Sequence, residues 1–314
     1  IDDLDSALTS KLFVADADLR VPRHRTIAEF LAAGAIAKRI EDGLPVGRVL
    51  SLMSGSDGGI VDSMRGLHAW LATRCVSVRQ LLIEGDVLGV VLYGDVTTFS
   101  TGEKRQVLNA LNREAQRFPW FRKTDWQDHP FGALGTADMA GTFQDLLAAP
   151  DRSQAHQSLL GCVLDAIKHG DPMPQLSREL WKVAEDLGFR PDTRLDALDA
   201  ALAQPGPDFS VARMMLDTIE AGVIADPNDE LAGRLLSRLY PAIVTPKEIA
   251  QYFRVPKFEF HFGVYQGFWR RQFVPGTPDK DLGDVMDAWA EVIRNAEDDR
   301  YGLTRGHITG DLLK

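Results

Sequence analysis

Seven histidines are scattered along the chain: His24, His68, His129, His156, His169, His261 and His307. A zinc-peptidase helix needs two imidazoles four residues apart with a glutamate between them, and no pair here has that spacing. Asp125, Asp128 and His129 carry metal-ligand chemistry, but Trp126 and Pro130 interrupt them and the segment reads as a surface turn. Gly55-Ser56-Asp57-Gly58-Gly59 is a flexible loop and lacks the Gly-x-Ser-x-Gly spacing of a nucleophile elbow. Acid pairs such as Glu185-Asp186 and Asp298-Asp299 read as solvated faces, because no apolar shell surrounds them to raise one pKa as a glycosidase requires. No catalytic, cofactor-binding or metal-binding residue is assigned.

One cluster has the composition of a binding hot spot. Phe258, Phe260, His261, Phe262, Tyr265, Phe268, Trp269, Arg270 and Arg271 follow closely on Lys257. Aromatic rings and arginines combine large burial with a polar handle. Two readings stay open: the rings form a core beneath a loop, or they are exposed anchors. On the second reading Lys257, Phe258, Tyr265, Trp269, Arg270 and Arg271 meet a partner. Arginines beside Trp269 could also stack on a nucleic-acid base.

The elements that must position these residues follow from composition and pattern. The 314 residues are 45% hydrophobic and 25% charged, which suits a globular protein with a sizeable core. A net charge of −10 disfavours nucleic acid, whose phosphates need a basic face. The charge is uneven: 185–230 holds eleven acids against three bases, and 247–275 holds five bases against two acids. No apolar run is long enough to span a bilayer, and no signal peptide opens the chain. Cys75 and Cys162 sit in apolar helical patterns and read as buried thiols of a reducing compartment, placing the chain in the cytoplasm.

Helical periodicity dominates. Ile60–Arg74 and Val76–Glu84 are expected helices, and Val87–Tyr93 is taken as a third although its composition also suits a buried strand. Ser100 or Thr101 caps the next. From Phe118 to Met139 the pattern breaks into an aromatic, proline-containing stretch, the expected internal boundary. Helices return over 153–168, 179–187, 195–202, 211–221, 230–239 and 247–253, separated by Gly, Pro and Asp signals. Short helices with tight loops pack as antiparallel pairs, and an array of such pairs is a solenoid.

Arg23-His24-Arg25-Thr26-Ile27-Ala28-Glu29-Phe30-Leu31-Ala32-Ala33 has the form of a hinge. A basic start leads to Thr26, a candidate cap, and then to a stripe of Ile27, Phe30, Leu31 and Ala35. The segment resembles one found after the nucleotide-binding module of bacterial NACHT-type (STAND) signalling ATPases, where it leads into helical repeats. Further signatures of that region are Arg65-Gly66-Leu67-His68-Ala69-Trp70-Leu71-Ala72, and Tyr93-Gly94-Asp95 with Phe99-Ser100 and Lys104. Asp226-Pro227-Asn228-Asp229-Glu230-Leu231-Ala232-Gly233 is the most specific, leading to Leu239-Tyr240-Pro241 and Thr245-Pro246-Lys247-Glu248-Ile249. Gly263-Val264-Tyr265-Gln266-Gly267-Phe268 completes the set. Arg190-Pro191-Asp192-Thr193-Arg194 resembles the second helix of a HEAT-type repeat. The likeness spans residues 12 to about 270 and rests on the order of its parts.

The expectation is an all-α fold, an irregular HEAT-like α-solenoid of antiparallel helix pairs. Residues 1–45 adjoin an ATPase module that the resemblance places N-terminal to Ile1, because no Gly-x-x-x-x-Gly-Lys-[Ser/Thr] occurs in the chain. Residues 46–117 form a first repeat part, 118–139 a linker and 140–314 a second repeat part. The resemblance implies a non-catalytic sensor or scaffold that recognises a trigger, as in defence signalling. It has protein partners, no membrane and no cofactor in this chain. His24, Arg25 and Glu29 are the expected interdomain signalling residues. The alternatives are a free-standing adaptor for a protein or peptide, and a helical enzyme using His129.

Overall fold

The computed structural model describes residues 10–16, 19–124, 130–254, 256–257, 263–294 and 302–312. Among the described residues the fold is all-α apart from one two-stranded ribbon, and the chain divides into two compact units, Ile1–Pro172 and Met173–Lys314.

Unit 1 opens with the ribbon, which periodicity did not reveal: β1 (Phe13–Asp16) pairs antiparallel with β2 (Leu19–Pro22), matching Val14 to Val21. Four-residue strands are too short to show a period-two pattern. Then come α1 (Arg25–Glu41), α2 (Val46–Met53), α3 (Arg65–Arg74), α4 (Arg79–Gly85) and α5 (Val87–Tyr93). α6 (Thr101–Arg117), α7 (Ala140–Ala148) and α8 (Gln154–His169) complete the unit. The expected helix at 87–93 is present. Asp86 caps it by accepting the Gly89 amide at 2.9 Å, and its apolar run packs against α3. Ser100 and Glu103 form a reciprocal capping box on α6. Thr26 is not a cap: α1 begins one residue before it, with His24 in the extended cap position and no side-chain bond.

The stretch 118–139 is not a boundary. Its described part lies inside unit 1, where Phe131, Leu134 and Met139 are fully buried beside the α6–α8 layer. Aromatic rings there fill core space, which outweighs the broken periodicity. The expected second repeat part, 140–314, is therefore divided at Pro172.

Unit 2 contains α9 (Ser177–Glu185), α10 (Pro191–Ala203), α11 (Phe209–Glu220) and α12 (Glu230–Leu239). Pro191 occupies the first turn of α10. Asp208 caps α11 through the amides of Ser210 and Val211 at 3.0 and 3.2 Å. The helix expected at 247–253 is only a 3₁₀ turn, Ile249–Tyr252. Two single α turns, α13 (Val264–Gly267) and α14 (Phe273–Gly276), flank a π-helical segment, Phe268–Gln272. α15 (Leu282–Arg294) and α16 (Gly302–Leu312) end the unit. Gly233 allows α12 to touch the Tyr265 backbone, where a Cβ would collide with main-chain atoms.

Candidate functional site

Two of the three expected signalling residues are brought together. Arg25 and Glu29 stand one turn apart on α1, and the guanidinium Nε reaches the carboxylate at 2.6 Å. The same guanidinium donates to the Ser63 carbonyl just before α3, which ties the start of α1 to its neighbour. Glu29 lies over Gly66, where any larger side chain would overlap its carboxylate. Further along, Phe30 meets Trp70 edge-on at 5.1 Å, and the Arg74 guanidinium sits 3.9 Å from the Phe30 ring. The α1–α3 seam thus combines a half-buried apolar contact and a cation–π stack, beside an ion pair within α1 that steadies Arg25. His24 is exposed and takes no part in it.

The aromatic–arginine cluster resolves mostly to core. Tyr265 and Trp269 are 2% and 1% exposed, so the reading of them as exposed anchors is corrected. Trp269 packs edge-on to Phe253 and Phe273 at 5.0 and 5.1 Å, and Phe253 meets Trp289 at 4.8 Å. Edge-to-face ring pairs of this kind contribute about 0.5–1.5 kcal/mol beyond the area they bury. The Tyr265 hydroxyl donates to the Tyr252 carbonyl at 2.6 Å and accepts the Arg254 amide at 2.9 Å. Arg271 is exposed, Arg270 is half-buried, and the Lys257 ammonium donates to the Asp226 carbonyl at 3.1 Å. Phe258 lies outside the described residues, as do Phe260, His261, Phe262, Asp125, Asp128 and His129.

The acids of 226–230 and Arg254 build a staple. The Arg254 guanidinium pairs with Glu220 at 2.9 Å and with the buried Asp229, and lies 4.9 Å from the Tyr265 ring. Asp229 adopts the left-handed region (φ 58°), tolerable for Asp, and this turns its carboxylate inward. Burial pushes the carboxyls of Asp226 and Glu230 up. Nearby, bonds from the Thr245 hydroxyl and amide, reinforced by Arg213, hold Glu248 down to about 2. The motif singled out in the sequence therefore organises the turn before α12.

Unit 1 contains a cleft of about 600 Å³ between α3, α4 and α6. Its wall is the bidentate Arg65–Asp86 pair at 2.7 and 3.0 Å, joined by Glu84, Arg113, Glu114 and Arg117. Acids and bases there largely pair with each other: Arg113 reaches Glu84 at 3.6 Å and Arg117 reaches Glu114 at 3.5 Å. Unit 2 carries an open groove of about 690 Å³ along α11. Phe209, Met214 and Val223, on or beside it, are 39%, 61% and 76% exposed. Sequence reasoning missed this groove. Its only signal is the pair Met214-Met215, of which one residue is buried and the other is left over.

Among the described residues no group of three or more His, Cys, Asp or Glu side chains could hold a metal ion. Cys75 and Cys162 are not joined in a disulfide, and both are fully buried. No described helix is long and apolar enough to cross a membrane. Comparisons of the chain with protein-family models, with curated proteins and with solved structures return no match.

Proposed function

We infer that the chain is a non-catalytic recognition and control module of a NACHT/STAND-type signalling ATPase. In this reading it acts in the cytoplasm through protein partners, and its helices form an irregular HEAT-like solenoid of antiparallel pairs. The observation that carries the inference is the α1–α3 seam. Arg25, steadied by Glu29 within α1, bonds the Ser63 carbonyl just before α3, and Glu29 lies against Gly66, so a displacement at the N-terminal side would be passed into unit 1 rather than absorbed by a loose linker. Successive packing of α3 on α4, α9 on α10 and α11 on α12 supports the repeat architecture.

Two measurements test this. The intact mass of the native gene product should be larger than this chain, with a phosphate-binding loop upstream and nucleotide hydrolysis. A product of this length that binds no nucleotide would leave a free-standing adaptor, a reading favoured by the exposed groove on α11. In the full-length protein, Glu29→Lys and the milder Glu29→Gln should alter nucleotide-dependent activation while far-UV circular dichroism stays unchanged. Activation and trigger affinity equal to wild type in both variants would remove the seam from the signalling path.

A further inference from the structure

The corner where α4 turns into α5 is held by one carboxylate. Asp86 is the single residue between the two helices, and both of its oxygens are in use. They take the Arg65 guanidinium of α3 at 2.7 and 3.0 Å, and one of them also caps α5 through the Gly89 amide at 2.9 Å. The His68 imidazole is seated against the same corner. Its Nε2 stands 3.3 Å from the point that a Cβ on Gly85 would occupy, and both ring nitrogens are buried without a partner. His156, the other buried imidazole described in unit 1, differs in having the Leu146 carbonyl as an acceptor.

A neutral imidazole can lie unpaired in an apolar interior at moderate cost, whereas an imidazolium brings a charge and two N–H donors that need an acceptor. The charged groups acting on the ring are Asp86, which favours imidazolium, and Arg65, which opposes it. The other elements packed on α3 direct their charges elsewhere. On α1 Glu29 is tied to Arg25, and on α4 Arg79 donates to the Ala72 and Thr73 carbonyls while Glu84 reaches Arg113 at 3.6 Å. Tyr93 at the end of α5 lies 5.5 Å from the Arg65 guanidinium, and Asp62 before α3 is exposed. Asp86 is thus the carboxylate that a protonated His68 has to draw on, and it can serve the ring only by giving up Arg65 or Gly89. We propose that His68, Asp86 and Arg65 form a proton-operated switch, in which proton uptake by His68 pulls Asp86 from Arg65 and from the Gly89 amide, frees the start of α5 and opens the wall of the unit 1 cleft. Burial holds the imidazole below its ordinary 6.5 while the corner is closed, and an opened corner relieves that burial, so acid favours the open form. The switch is internal to unit 1 and stands whether or not the chain controls an ATPase.

The test is amide hydrogen exchange on the complete chain at pH 7.5 and 5.5, with labelling times scaled to the change in intrinsic exchange rate. In the wild type the Gly89 and Val90 amides should lose about tenfold in protection at pH 5.5, a difference of roughly 1.4 kcal/mol, while the amides of α8 keep theirs. Two replacements that cannot titrate separate the proton from the packing. His68→Leu removes the polar ring and His68→Gln keeps a polar side chain, and in both the Gly89 protection should be the same at the two pH values. The imidazole signals of His68, followed by nuclear magnetic resonance, should titrate over the same pH range in which the Gly89 amide is released. Gly89 protection that is independent of pH in the wild type, or lost equally in both variants, would overturn the proposal. So would an acid loss spread evenly over unit 1, since that is global unfolding and not the release of one corner.

Discussion

His68 lies in the interior of unit 1, fully buried on α3, and neither ring nitrogen has a hydrogen-bond partner. Its Nε2 abuts Gly85, so a side chain at that position would crowd the ring. Burial pushes the imidazole pKa below its ordinary 6.5, Arg65 adds to the shift and Asp86 opposes it. The unfolded chain therefore takes up the proton first as pH falls. The share of stability tied to His68 is intact above pH 6.5 and is lost as pH drops towards the folded-state pKa. A buried unpaired polar group also costs about 1–3 kcal/mol in itself. His68→Leu should accordingly leave the melting temperature at pH 7.5 unchanged or higher, and should raise it relative to wild type at pH 5.5. Melting curves at the two pH values check this. A variant less stable than wild type at pH 5.5 would mean that the imidazole has a role in the fold that its surroundings do not show.

Between elements the same device recurs: an arginine near the start of one helix satisfies carbonyls at the end of the previous one. The Arg79 Nε and Nη2 atoms donate to the Ala72 and Thr73 carbonyls at 2.8 Å each, and Nη1 reaches Glu103 at 2.5 Å. In unit 2 the buried Arg194 donates from Nε to the Ala184 carbonyl in the last turn of α9, also at 2.8 Å. A helix ends with unsatisfied carbonyls and negative dipole character, and a guanidinium answers both. Arg79→Met keeps the aliphatic stem but strands two carbonyls and the Glu103 carboxylate, so it should cost roughly 2–5 kcal/mol in urea denaturation. Adding Glu103→Gln should recover part of that loss. A cost below about 1 kcal/mol would show that water replaces the guanidinium at no penalty. These joints were not legible from the sequence, because Arg79 follows a cysteine-valine run with no capping signature. What was legible is local: the cap at Ser100, given with Thr101 as the alternative, and α12 from Glu230 to Leu239. The Arg25–Glu29 pair was also within reach, since i,i+4 spacing on a helix brings such side chains together. Beyond reach were the burial of Tyr265 and Trp269, which depends on rings from Phe253 and Trp289, and the groove, which depends on what fails to cover α11.

At the scale of the whole molecule, the chain changes allegiance at a single residue. The Asp171 amide donates to the Gly135 carbonyl within unit 1, whereas the Met173 amide donates to the Gln204 side-chain oxygen within unit 2 at 2.7 Å. Exposed Pro172 stands between them and has no amide hydrogen to give to either side. Each unit has its own fully buried residues: Leu71, Leu111 and Phe143 in the first, Leu198, Leu216 and Phe273 in the second. A chain of about 150 residues buries roughly 70% of the surface that it exposes when unfolded, enough to sustain a core. Residues 173–314 produced alone should therefore keep a helical far-UV spectrum and melt cooperatively, retaining near-ultraviolet signals from Trp269 and Trp289. Binding of a hydrophobic dye, with helical signal but no sharp melt, would mark a molten state and show that unit 2 depends on the preceding residues for its packing. That outcome would also bear on the proposed control role, because a unit unable to hold its own core cannot pass a displacement through it as a rigid body, whereas one that folds alone can.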